Sequence, residues 1–151
     1  MPVHEFLLLP DHDGDYSNWD QHSRNPIALT LHDDLILYFW DSLKWIPSIN
    51  PSNPDEWGGH GLNYLGPTVI NHIGGPKAAK IFDAWAQLLN ESPAKLTLKG
   101  LYCWTEGDSV SEGEYESVIA DRDQVVATLQ QIAEFARQAA TGEKFLLHNG
   151  I

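Results

Sequence analysis

A long amphipathic helix followed closely by an apolar strand is the feature that most constrains the fold of this chain. From about Asp121 to Thr141, apolar residues recur at helical spacing and form one stripe: Val125, Val126, Leu129, Ile132, Ala133, Ala136, Ala139 and Ala140. The other side of this helix is polar, so a sheet or a second helix must cover the stripe. Lys144–Asn149 then carries apolar residues without alternation, which predicts a strand in the centre of a sheet.

Similar patterns predict the elements before this helix. His4–Leu9 is typical of a strand, and alternating apolar residues at 27–31 indicate a short second strand. The next apolar stretch favours a helix that begins with Asp33 or Asp34 as its cap and ends at Pro47. LILYFW within that stretch is also compatible with a buried strand.

A second helix and a hairpin are predicted next. Gly74-Gly75-Pro76 opens the helix and Ser92-Pro93 ends it, and one face is apolar: Ala78, Ile81, Phe82, Trp85, Leu88 and Leu89. Lys95–Trp104 and Tyr115–Ala120 have the composition of paired strands, with Gly100 as a bulge. The elements together predict an α+β (mixed α/β) fold: one domain over residues 1–151, with a four- to five-stranded sheet covered by about three helices.

The net charge of the chain limits the partners it can bind. Twenty-one acidic residues against nine basic ones give a formal charge of −12, which disfavours nucleic acids and anionic membranes. The same charge suits a basic protein partner, although solubility alone is also an adequate explanation. No apolar run is long enough to span a membrane. The single cysteine, Cys103, lies in an apolar strand and is predicted to be a buried, inert thiol of a cytoplasmic protein.

The most distinctive polar feature of the sequence is an acidic hairpin. Five carboxylates fall within eleven residues: Glu106, Asp108, Glu112, Glu114 and Glu116. Like charges this close repel one another, and a basic partner would relieve that repulsion and associate faster. A solvated hairpin tip is the alternative explanation.

The Pro- and Gly-rich segment at residues 47–67 is a second candidate surface. Loops of this length in small domains are often functional, so Trp57, His60 and Tyr64 are predicted to contact a partner. Alternatively, Trp57 and Tyr64 pin a purely structural loop to the core.

Catalytic and cofactor motifs are weak in this sequence. The chain has no phosphate-binding loop, dinucleotide fingerprint or nucleophile elbow, so no cofactor is predicted. His60 and His72, with nearby acids, leave open a small metal-dependent hydrolase. The cluster at residues 11–15 lacks the spacing of a calcium loop and is predicted to be a solvated turn. A non-catalytic homodimeric structural protein is a third possibility.

The strings GLNYLGPTVI, LTLKGLY and LLHNGI complete the functional prediction. With the helix, the acidic hairpin and the long helix between them, they make residues 60–151 similar to bacterial immunity proteins, which neutralise polymorphic or contact-dependent toxins. This resemblance implies binding without catalysis, through an acidic surface that covers a toxin. The sequence as a whole therefore predicts an acidic protein-binding module with a basic partner.

Overall fold

A four-stranded antiparallel sheet lies at the centre of the fold. The structure, a computed structural model, describes residues 2–17, 19–22, 27–55, 59–107 and 109–151. The strands there are β1 (Val3–Pro10), β2 (Leu29–His32), β3 (Pro67–Ile70), β4 (Lys95–Cys103), β5 (Glu114–Asp121) and β6 (Lys144–Asn149). The helices are α1 (Asp33–Tyr38), α2 (Trp40–Leu43), α3 (Gly75–Asn90) and α4 (Arg122–Ala139). The predicted α+β class is confirmed.

The strand order in the central sheet is β2-β1-β6-β3, with every neighbouring pair antiparallel. The prediction that β6 is central is therefore confirmed. Phe145 to His148 are all buried, because β6 has a strand on each side and a packed layer on each face.

The two long helices cover one face of the sheet. The apolar stripe predicted for α4 is buried almost throughout and packs against α3 and β6. Asp121 caps α4, because its carboxylate accepts a hydrogen bond from the backbone N–H of Gln124 at 2.9 Å. The predicted face of α3 is partly wrong, since Leu88 is 61% exposed while Ala79 and Ala86 are buried. Small residues face α4, and they allow the two helices to pack closely.

Loop residues and a short 3-10 helix (Trp19–His22), rather than long α-helices, cover the opposite face of the sheet. Its buried side chains are Leu7, Leu9, Val69, Phe145 and Leu147. Four partly buried residues pack over them: Tyr16, Trp19, Ala28 and Ile49. The sheet is therefore buried on both faces, and its two faces have separate hydrophobic clusters.

The helix predicted after residue 32 is present as two short helices, and its predicted cap is wrong. His32 is the N-cap, because its Nδ1 atom accepts from the backbone N–H of Asp34 at 3.1 Å. Between α1 and α2 the backbone of Phe39 leaves the helical region, with φ −113° and ψ 22°. The hydroxyl and N–H of Ser42 both donate to the carbonyl of Phe39, which competes with a regular helical turn.

Strands β4 and β5 form a hairpin with its own two-stranded sheet. The predicted bulge is confirmed, because the register shifts between Lys99 and Tyr102, on either side of Gly100. Leu96 and Val118 anchor the base of the hairpin in the core. Beyond the bulge, most residues on both strands are exposed, so this distal half of the hairpin projects from the body of the protein.

Candidate functional site

The projecting half of the hairpin presents the predicted acidic cluster to solvent. Glu106, Glu112, Glu114 and Glu116 are all exposed, whereas Asp108 lies outside the described residues. Within the described ranges, no lysine or arginine nitrogen lies within 4 Å of these four carboxylates. The charge of the cluster is therefore not neutralised there by the protein's own basic side chains.

The tip of the hairpin is braced by hydrogen bonds. The carboxylate of Glu112 accepts from the backbone N–H of Ser109 at 2.7 Å, and this bond lowers the pKa of Glu112. The hydroxyl of Tyr102 donates to the carbonyl of Val110 at 2.6 Å, across the hairpin end. A side chain at Gly113 would approach the Cys103 carbonyl to 2.6 Å, so the strands close tightly there. The acids are consequently carried on a hydrogen-bonded frame.

Exposed apolar side chains are interspersed with the acids on the hairpin. Between 53% and 60% of the surface of each is exposed: Leu101, Trp104, Val110, Tyr115 and Ile119. The ammonium of Lys99 lies 3.5 Å from the centroid of the Tyr115 ring, in cation–π contact. Aromatic residues are enriched at protein–protein interfaces, so this mixture of rings and carboxylates suits protein binding.

Cys103 corrects one sequence expectation. The thiol is exposed rather than buried, because it lies near the end of β4, where the hairpin has projected beyond the core. Local desolvation and the neighbouring Glu116 carboxylate raise the pKa of this thiol. A raised pKa keeps the thiol protonated and lowers its nucleophilicity at neutral pH.

Two isolated bridges involve the loop at residues 47–67. Pro47 and His60, both in the loop, form one that closes it on itself, and Ile49 forms the other with Val69 of β3. His60 is exposed, and Trp57 lies outside the described residues. Partner contact by Trp57, His60 and Tyr64 stays a prediction.

Tyr64 belongs to a buried polar network that sequence reasoning missed. Its hydroxyl donates to one carboxylate oxygen of Asp33 at 2.8 Å, and His4 Nε2 lies 2.9 Å from the other. His4 Nδ1 in turn lies 2.9 Å from His148 Nε2, and both histidines are fully buried. The pKa of the Tyr64 hydroxyl is raised, mainly by desolvation and to a smaller extent by the hydrogen bond and charge of Asp33. The network joins β1, β6, α1 and the loop.

Strand register explains how two histidines far apart in sequence come together. Phe6 pairs with His148, and His148 pairs with Thr68, so these side chains share the helix-facing side of the sheet with His4. The sequence carried one signal that these histidines face the helices: His4 alternates with Phe6 on one strand, and His148 alternates with Leu146 on the other. Because both imidazoles are fully buried, a substrate could not reach them. The network therefore has the character of a structural element.

The alternative metal site gains no support from the geometry. His60 and His72 are both exposed, and Glu56 lies outside the described residues. Among residues 2–17, 19–22, 27–55, 59–107 and 109–151, no three His, Cys, Asp or Glu side chains are placed to share a metal ion. At residues 11–15, the Asp11 carboxylate accepts from the N–H of Gly14 at 2.8 Å, as in a local turn.

Comparison with known proteins adds no family to this description. No family model, no curated protein and no solved structure matches the chain. None of the helices in the described part of the chain is long and apolar enough to cross a membrane. Fold and surface define an α+β domain that carries a projecting acidic and aromatic hairpin.

Proposed function

We propose that this chain is a non-catalytic, acidic protein-binding module that neutralises a basic toxin in the manner of a bacterial immunity protein. The observation that carries the proposal is the hairpin, where exposed carboxylates without basic partners in the described structure are interspersed with exposed rings on a braced frame. Its place of action would be the cytoplasm, where such a toxin would act.

Two physical effects support this proposal. A basic partner would relieve the mutual repulsion of the hairpin carboxylates, and their field would accelerate the encounter of the two proteins. The exposed rings would then supply apolar area that is removed from water in the complex. Self-association is the less favourable use of this surface, because each copy carries a formal charge of −12.

A growth assay tests this function directly. The proposed function predicts that the adjacent reading frame encodes a toxin domain, and this domain is induced in a bacterial host, with or without this protein. Wild-type protein should restore growth, and Glu106→Lys with Glu114→Lys should not. These two sites are chosen because Glu112 also holds the hairpin tip.

The matched control reverses two exposed acids outside the hairpin, Glu91→Lys with Glu143→Lys. This control changes the net charge equally and should still restore growth. Equal loss of protection in both double variants would contradict a role for the hairpin. No protection by the wild-type protein would contradict the proposed function itself.

A further inference from the structure

An aromatic groove runs between the α1–α2 segment and the hairpin. It consists of two adjoining depressions of about 210 and 420 Å³, which share Leu37, Tyr38 and Leu101. The larger one is also lined by three tryptophans, Trp40, Trp45 and Trp85. We call this feature the aromatic groove.

The walls of the aromatic groove are apolar and exposed, and Trp85 is held in place by its neighbours. Trp45 is 63% exposed, Leu101 57% and Tyr38 45%. The indole N–H of Trp85 donates to the hydroxyl of Ser42 at 2.8 Å, and its ring lies 4.7 Å from that of Phe39. A preformed concave surface with apolar walls is typical of a site that receives a side chain from a ligand.

Carboxylates border the aromatic groove. Asp34 lines one depression and Asp41 lines the other. Glu116 lies directly against Gly100, which also lines the groove, so the acidic hairpin adjoins it. Two lysines also lie here: Lys99 lines the groove and contacts the Tyr115 ring, and Lys44 pairs with Asp41 at a well-exposed position, where such a pair contributes little. The carboxylate of Asp34 lies 3.3 Å from the Nδ1 atom of His32, and both side chains are partly exposed.

This combination selects one kind of occupant. A neutral apolar segment would bring no charge complementary to the acidic border, and a second copy of this chain would bring another formal charge of −12. A segment that places an apolar side chain between lysines or arginines complements both the walls and the border.

We propose that the aromatic groove binds such a segment, with leucine-like side chains against Trp45 and Leu101 and flanking basic residues at Asp34 and Asp41. This inference rests on the proposed function, because the segment belongs to the basic partner that the hairpin acids attract. The groove walls supply the apolar part of the recognition, and Asp34, Asp41 and the hairpin acids supply the charge.

Two blocked hexapeptides separate these contributions in an NMR titration of the full chain. One peptide is Lys-Lys-Leu-Leu-Lys-Lys, and the other has serines in place of the leucines. The leucine peptide should bind about tenfold more tightly, because binding in the groove removes its apolar side chains from contact with water. The indole N–H signal of Trp45 should shift with the leucine peptide alone.

Groove variants and a matched control decide the assignment. Leu101→Ser and Trp45→Ser should abolish the preference for leucine, whereas Ile73→Ser, which changes another exposed side chain outside the groove, should retain it. All three side chains are more than half exposed, so these variants should fold. Equal binding of the two peptides to wild-type protein, or an unchanged preference in the groove variants, would overturn the inference.

The hairpin variant distinguishes failure of the groove from failure of the proposed function. Glu106→Lys with Glu114→Lys should weaken both peptides alike and leave the leucine preference intact. If the groove variants act as expected but this double variant does not, the charge-based function fails and the groove stands. If neither peptide binds the wild-type protein, both proposals are contradicted.

Discussion

The Nδ1 atom of His4 lies 2.9 Å from the Nε2 atom of His148, although the two residues stand near opposite ends of the chain. Their rings stack at a centroid distance of 5.1 Å with an interplanar angle of 14°, and both are fully buried. His148 Nδ1 has no hydrogen-bond partner among the described residues. This pair connects the first strand of the chain with the last, and its burial predicts that the stability of the fold depends on pH.

Stability should fall as the pH drops below about 6.5. The pKa of His148 lies well below its ordinary value of 6.5, mainly because the ring is buried and to a smaller extent because His4 is its neighbour. In that range the unfolded chain binds a proton at this site and the folded chain does not. The stabilisation is therefore complete above the unfolded pKa and is lost as the pH falls towards the folded pKa, by at most about 1.4 kcal/mol per pH unit for one proton.

Urea unfolding at a series of pH values from 8 to 5 measures this effect. His148→Gln should be less stable than wild type at neutral pH but should lose less stability on acidification. Substituting the exposed His72 by Gln should leave the pH profile of the wild type unchanged. Parallel profiles for wild type and His148→Gln would show that His148 does not titrate in this way.

Removing the hydroxyl of Tyr64 should destabilise the fold. Tyr64→Phe deletes the 2.8 Å hydrogen bond to Asp33, a carboxylate that is nearly buried and also faces His4. The expected loss in the free energy of unfolding is about 1.5–3 kcal/mol, as for other hydrogen bonds to charged groups. Tyr38→Phe, at an exposed hydroxyl, serves as the control and should change it by less than about 0.5 kcal/mol. Equal effects of the two substitutions would contradict the assigned role of Tyr64.

Gly75 should tolerate no side chain, because α3 approaches α4 closely at this point. A Cβ atom there would lie 2.7 Å from the Ala136 carbonyl oxygen and 2.8 Å from the Ala140 nitrogen, both backbone atoms. Gly75→Ala should lower the free energy of unfolding by about 1–3 kcal/mol, despite the better helix propensity of alanine. Thermal unfolding measures this loss, with the exposed Lys77→Ala as control. A stabilised Gly75→Ala variant would show that the helices can separate at no cost.

The carboxylate of Glu112 should hold the hairpin tip through its acceptor atom rather than through its charge. Glu112→Ala removes the acceptor for the N–H of Ser109, so the amide of Ser109 should exchange its hydrogen faster. Glu112→Gln retains an acceptor oxygen and should preserve most of the protection. Hydrogen exchange followed by NMR distinguishes the two variants, and equally fast exchange in both would assign the effect to charge.

Local patterns predicted much of the fold. The stripe of α4, its Asp121 cap and the central place of β6 were all encoded in short stretches of sequence. The break at Phe39 was not predicted, since it depends on the hydrogen bonds that Ser42 makes in the folded chain. The exposure of Cys103 was missed because a strand's pattern does not show how far the hairpin extends beyond the core.

The candidate site was likewise predictable from the sequence only in part. The acidic cluster is visible in the sequence because its members are close along the chain. The His4–His148 contact spans 144 positions and depends on the register between β1 and β6, which no local pattern specifies. The aromatic groove likewise requires the placement of the α1–α2 segment beside Leu101.

The central claim is that the hairpin acids attract a basic protein, and association kinetics test it most directly. The proposed function predicts a toxin domain in the adjacent reading frame, and the rate constant for its binding to this chain is measured at low and high salt. Glu106→Lys with Glu114→Lys should slow association at least about tenfold at low salt, and the difference should shrink at high salt. Glu91→Lys with Glu143→Lys should have a much smaller effect. Equal rates for the two double variants at low salt would contradict the claim.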